Sequence, residues 1–288
     1  MHRIRTVAVL PTLFTLANLV CGFFAIVVAA RVDPPKDDQN PRAEVIGTFN
    51  LFKAVRSLDK EDPSHNCMLS AWLIFLAMIF DALDGHVARL AKTTSDFGAQ
   101  LDSLCDVVTF GVAPAFLLVK MCPHFEISHH RMVWVIAALY AACAAMRLAR
   151  FNVETDDEDD HMHFTGLPSP AAAAAIASFA ILFYTLRKET SVDLYPQQLD
   201  NVMQYVLPCF AVLVAILMVS RIPYPHLVNQ LGQASFAHLA MVVLFFAGVM
   251  LVRGFAVPLI SVVFVLHGPV LYVWQEYVQR RPHKEPLF

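Results

Sequence analysis

Charge is scarce in this sequence: of 288 residues only 16% are Asp, Glu, Lys or Arg, against 57% that are hydrophobic. A soluble domain carries about 25% charged residues, so the deficit argues against a chain surrounded by water. The net charge is only −3, which provides no basic excess to attract nucleic acid. No CxxC pair occurs among Cys21, Cys67, Cys105, Cys122, Cys143 and Cys209. That removes the spacing zinc sites and redox motifs require, and buried free thiols are the expectation. No internal repeat is evident.

What the sequence has instead is long apolar blocks, with a mean hydropathy of +0.55. Blocks of about 20 residues cross the hydrocarbon layer as helices. The hydropathy pattern predicts an all-α, polytopic transmembrane bundle of about eight spans, near 12–30, 68–90, 98–120, 132–152, 168–187, 202–220, 237–252 and 255–276. The chain is read as a single catalytic domain over 1–288, with additional C-terminal spans over 202–276. Met1-His-Arg-Ile-Arg5 before an apolar run has the look of a signal peptide, but Pro11 and Asn18 interrupt that run, so a retained first helix is expected.

Three stretches are polar. Residues 31–67 mix both charges with Pro34, Pro35, Pro41 and Pro63 and read as an extramembrane insertion. Residues 154–163 form an acidic loop, and 188–200 a short connector. Arg3, Arg5, Arg89, Lys92, Arg147, Arg150, Arg221, Arg280, Arg281 and Lys284 fall on one side of an even-span bundle. The excess of positive charge makes that side cytoplasmic and places the insertion opposite. A multi-pass protein of the cell membrane is therefore expected.

One segment breaks the apolar pattern. Asp81, Asp84, Gly85, Ala88 and Arg89 are followed, after eight residues, by Gly98, Asp102 and Asp106. Carboxylates at the edge of hydrocarbon are costly and point to function. Asp81, Asp84 and Ala88 share one helix face, as do Gly98, Asp102 and Asp106. A short turn near 91–96 makes the two spans antiparallel neighbours, so the acidic faces can meet. Four converging carboxylates repel one another unless cations lie between them, and all-oxygen ligation suits Mg²⁺ or Mn²⁺. With a diphosphate they supply enough ligands for two such ions, an arrangement that assists phosphoryl displacement. Gly85, Ala88 and Gly98 clear a lane for a bulky anion, and Arg89 can pair with its phosphates. A carboxylate can also take the proton of an attacking hydroxyl.

The pattern D-x2-D-G-x2-A-R-x8-G-x3-D-x3-D, met from Asp81 to Asp106, resembles the signature of the CDP-alcohol phosphotransferase family. The resemblance implies a six-helix core, a homodimer, two divalent cations and release of CMP. It makes Asp81, Asp84 and Asp102 metal ligands, and Asp106 the base toward the acceptor and a further contact to metal. Asp81, Asp84, Gly85, Ala88, Arg89, Gly98 and Asp102 become the site for the CDP-lipid.

The flanking text is similar to the branch of that family that uses serine. It includes Leu10 to Gly22, Ser95 to Pro114, Arg147-Leu-Ala-Arg150-Phe-Asn152, Gly166-Leu-Pro168-Ser-Pro170 and Ser220 to Pro225. The implied activity is transfer of phosphatidyl from CDP-diacylglycerol to L-serine. Serine's carboxylate needs a cation, and Arg147 and Arg150, with Asn152, are the candidates for binding the acceptor. The same arginines also suit topology anchors or headgroup contacts. Thr15 and Asn18 reach either the diphosphate or a neighbouring helix. His86 and Gln100 depart from what many relatives carry, and His86 lies off the acidic face. Ser103 beside Asp102 lacks the partners of a nucleophile. Two alternatives stand beside this reading. One is a family member that takes glycerol phosphate or inositol; the other is an ion-coupled transporter, although midplane sites and repeats are missing.

Overall fold

In a computed structural model, residues 9–31, 63–91, 96–122, 132–156, 166–189, 196–222, 224 and 256–279 are described. Among these there are helices and no strands. We label them α1 (Val9–Ala30), α2 (Pro63–Ala91), α3 (Asp96–Asp106), α4 (Ala113–Met121), α5 (Met132–Asp156), α6 (Ser169–Glu189), α7 (Pro196–Val219) and α8 (Ala256–Gln279). A π-helical segment, Val107–Val112, joins α3 to α4 without a break. Four stretches are long and apolar enough to cross a membrane: Thr12–Ala30, His65–Val87, Phe97–Met121 and Met132–Val153. Shorter apolar helices occupy Ser169–Thr185, Tyr205–Val219 and Val257–Tyr272. The chain is thus a polytopic helical membrane protein.

Seven of the expected spans have a helical counterpart, and the remaining one, 237–252, lies outside the described residues. Helix ends differ from the hydropathy reading where polar residues extend a helix past its apolar block. Thus α2 starts at Pro63, inside the stretch read as an insertion over 31–67. Proline is favoured in a helix's first turn, where its missing N–H has no bond to lose. For the same reason α7 starts at Pro196 within the expected connector; α5, at its C-terminal end, runs on to Asp156, into the acidic run.

Two apolar clusters form the core, and α4 and α6 supply both. One gathers Leu118, Val133, Tyr140, Ala172, Ala175, Ile176 and Val214. The other gathers Ala25, Ile74, Phe110, Leu117, Ala173, Ala177 and Ala180. The alanine run that opens α6 lets neighbours approach on two faces, because small side chains replace hydrophobic drive with close van der Waals packing inside a bilayer. All six cysteines are free thiols; five are buried and Cys209 is exposed.

Pro208 lies within α7, Pro269 within α8 and Pro114 where the π-helical segment meets α4; at the last two a tyrosine answers the interruption. Proline cannot bond the carbonyl four residues before it. Pro114 thereby leaves Phe110, whose carbonyl accepts from the Tyr140 hydroxyl at 3.1 Å. Pro269 leaves Val265, whose carbonyl accepts from Tyr224 at 2.9 Å. Burial pushes the Tyr224 phenol up to about 12, so it stays a donor. Its ring lies on Gly268, where a Cβ would meet ring carbons at 2.5 Å.

The turn before α6 is tied to the end of α7. Gly166 N–H donates to Ile222 O at 2.9 Å and Leu167 N–H to Leu217 O at 3.0 Å. Gly166 has φ 97°, and a Cβ there would stand 2.5 Å from Met218 O, so both conformation and space require glycine.

Candidate active site

The acidic faces of α2 and α3 meet. Carboxylate oxygens of Asp81, Asp102 and Asp106 all lie within 4.8 Å of one another. Asp81 comes from the C-terminal half of α2, and Asp102 and Asp106 lie one turn apart on α3. The helical spacing that put each pair on one face therefore holds in three dimensions. Asp84 stands beside the trio, within electrostatic reach of Asp81 and Asp102. Its own carboxylate is buried and accepts a hydrogen bond from Thr15.

Helix α1 closes the site from a third direction. Thr15, Asn18 and Gly22 fall on one face of it at i, i+3 and i+7. Asn18 is wholly buried, and its amide Nδ2 donates to Asp106 Oδ1 at 3.0 Å. The Asn18 carbonyl accepts from Thr109 Oγ1 at 3.3 Å. A Cβ on Gly22 would overlap Thr109, whose Cα would be 2.9 Å away, so glycine lets α1 seat against the π-helical segment. Of the two roles open to Thr15 and Asn18, the bond to a neighbouring helix is present.

The candidate acceptor residues separate. Arg147 is electrostatically engaged with Asp106 and Asp81, and its Nη1 donates to the buried Ser169 Oγ at 2.6 Å. Arg150 Nη1 instead donates to the carbonyl of Val219, the last residue of α7, at 3.2 Å. That is the position where a cation best satisfies unpaired carbonyls. Asn152 Nδ2 donates to Ser103 Oγ at 2.9 Å, which ties α5 to the residue beside Asp102. The sequence offered no signal for Ser103 or Ser169 as partners, because each depends on which helices become neighbours. Arg221 is exposed, whereas His86 is buried at 8%.

Around the expected lane for the CDP-lipid, a Cβ on Gly85 would meet nothing within 4 Å. No packing neighbour demands glycine there, and the open space suits a ligand. Gly98 is partly exposed on the first turn of α3. Ala88 and Arg89 lie on the last turns of α2, but their side chains are outside the described residues.

Whether these residues fit metal is tested by what they leave unsatisfied. Asp102 Oδ1 is buried and has no hydrogen-bond partner among the described residues. Three carboxylates this close in a medium of low dielectric repel one another. One hard cation relieves both conditions, so the donor set fits a divalent ion bound by oxygen.

The class these features define is a polytopic helical membrane protein with a carboxylate cluster that could hold a metal ion. The match to known families is direct. Residues 8–217 match the CDP-alcohol phosphatidyltransferase family, and the chain belongs to it. It is 34% identical over 183 residues to a CDP-diacylglycerol–serine O-phosphatidyltransferase of Helicobacter pylori, covering 63% of this chain and 67% of the relative. It is 39% identical over 160 residues to the enzyme of that name in Methanocaldococcus jannaschii, covering 55% and 65%. With an archaetidylserine synthase of Methanothermobacter thermautotrophicus it shares 34% identity over 166 residues, covering 57% and 60%.

Proposed function

We propose that this protein transfers the phosphatidyl group of CDP-diacylglycerol to the hydroxyl of L-serine, giving phosphatidylserine and CMP. The observation that carries the chemistry is the convergence of Asp81, Asp102 and Asp106 within 4.8 Å. The choice of serine is supported by the relatives whose names specify that acceptor.

The reaction follows from the groups present. The lipid tails stay in the bilayer, and the diphosphate enters the open space at Gly85, with Ala88, Arg89 and Gly98 along the same lane. Asp106 accepts the proton of the serine hydroxyl as its oxygen attacks the phosphorus that carries the lipid. The bond from that phosphorus to the bridging oxygen breaks, and the electron pair leaves with CMP. Asp81, Asp84, Asp102 and Asp106 would hold two divalent cations, Mg²⁺ or Mn²⁺, which when bound would neutralise the diphosphate and the leaving CMP. Arg147 sits beside the carboxylates and is the foremost anchor for serine's own carboxylate. Arg150 and Asn152 hold the wall from which Arg147 projects. The site is taken to face the cytoplasm, the side that collects arginine and lysine, and the active unit to be a homodimer with one catalytic domain spanning 1–288.

Purified protein in lipid vesicles, given CDP-diacylglycerol and labelled serine, is expected to release CMP and form labelled lipid in equal amounts. CMP release that does not depend on serine overturns the acceptor assignment. Release with glycerol phosphate or inositol instead would redirect it to another alcohol.

A further inference from the structure

We infer that Asn18 is a positioning residue that fixes the Asp106 carboxylate for the acceptor. The inference rests on the reading of Asp106 as base. Three observations combine. Asn18 Nδ2 donates to Asp106 Oδ1 at 3.0 Å across a sequence separation of 88 residues. Asn18 is 0% exposed, so water cannot take its place without moving a helix. Its backbone carbonyl is held by Thr109, and α1 is held against Thr109 by the absence of a side chain at Gly22.

The side chain that meets Asp106 is therefore fixed in depth by backbone contacts one turn away. Asp106 Oδ1 accepts from the amide, and we assign the proton transfer to Oδ2. An amide serves here better than a cation would, because it orients the carboxylate without neutralising it. The Asn18 Oδ1 atom is itself buried with no hydrogen-bond partner among the described residues. Burying such an oxygen costs about 1–3 kcal/mol. A packing bond alone would be better made by a hydroxyl, which leaves no second polar atom behind. That cost falls beside Asp106, where a planar amide fixes the direction of the carboxylate as a freely rotating hydroxyl would not.

The test uses the full chain in vesicles. Asn18→Leu keeps the branched outline and removes the donor; Asn18→Ala removes it with no steric demand. Both are expected to lower kcat on the order of 10²-fold, the cost of misplacing a reacting group by ~1 Å. The KM for CDP-diacylglycerol is expected to stay within about twofold, since binding that is lost only in the transition state reads in kcat. Gly22→Ala, whose added methyl would run into the Thr109 hydroxyl and backbone, is expected to lower kcat in the same way by pushing α1 off Thr109.

Wild-type kcat in both Asn18 variants overturns the inference, as does a rise in the CDP-lipid KM that accounts for the loss. Failure of the alanine variant to fold would make Asn18 structural and overturn it too. Asp106→Asn is assayed in parallel. If that variant keeps full activity, the reading of the base fails; if it is inactive while the Asn18 variants are normal, only the present inference fails.

Discussion

At the residue scale, the four aspartates do not share one environment. Three face one another, while Asp84 is drawn aside by Thr15. The carboxylate proposed as the base, Asp106, is the one held by an amide. Asp106→Asn, which preserves shape and removes the base, is expected to abolish transfer while CDP-lipid binding remains detectable by equilibrium retention of labelled lipid. A variant that still turns over would take Asp106 out of the mechanism. Arg147→Lys keeps the positive charge but loses the planar fork. It is expected to raise the KM for serine about tenfold, with that for the CDP-lipid little changed. The acidic motif was legible because carboxylates stand out against hydrocarbon and helical spacing fixes their face. The partners were not: nothing in the local sequence couples Asn152 to Ser103 or Arg150 to Val219, since both follow from which helices end up adjacent.

At the element scale, hydropathy located the spans but not the way they are joined. The π-helical segment at Val107–Val112 was invisible because an extra residue in a turn leaves an all-round apolar pattern unchanged. Pro114 and Pro269 could be read as interruptions, yet the hydroxyls that satisfy their orphaned carbonyls lie 30 and 41 residues from the carbonyls they serve. In hydrocarbon a carbonyl has no water to turn to. Tyr140→Phe and Tyr224→Phe are each expected to cost about 1–3 kcal/mol and to lower the unfolding temperature in detergent. Tyr272→Phe, whose ring is exposed, is expected to leave it unchanged. Equal behaviour of all three variants would remove the role assigned to these two bonds.

At the scale of the whole molecule, the carboxylates draw on α2 and α3, the clamp on α1, the counter-cation on α5 and its partner Ser169 on α6. The site therefore exists only when these helices are assembled, and a divalent cation is expected to hold them together. Removing metal with a chelator is expected to abolish transfer and lower the unfolding temperature, as loss of a ligand of the native state does. Mg²⁺ or Mn²⁺ is expected to restore both. Asp81→Ala is expected to raise the half-restoring concentration by about 10- to 100-fold. An unfolding temperature indifferent to chelator would argue that the cluster holds no resident ion.

The family match ends at 217, and α8 begins only at Ala256, yet α8 is no loose appendage. Beside the burial of Val257 and Val265 in the two core clusters, it is held by the phenol of Tyr224, seated on the bare backbone of Gly268 and bonded beneath Pro269. A graft of this last helix onto a shorter relative would therefore have to carry both halves of that joint. Transplanted without the stretch that includes Tyr224, it would bring an unanswered carbonyl into the lipid.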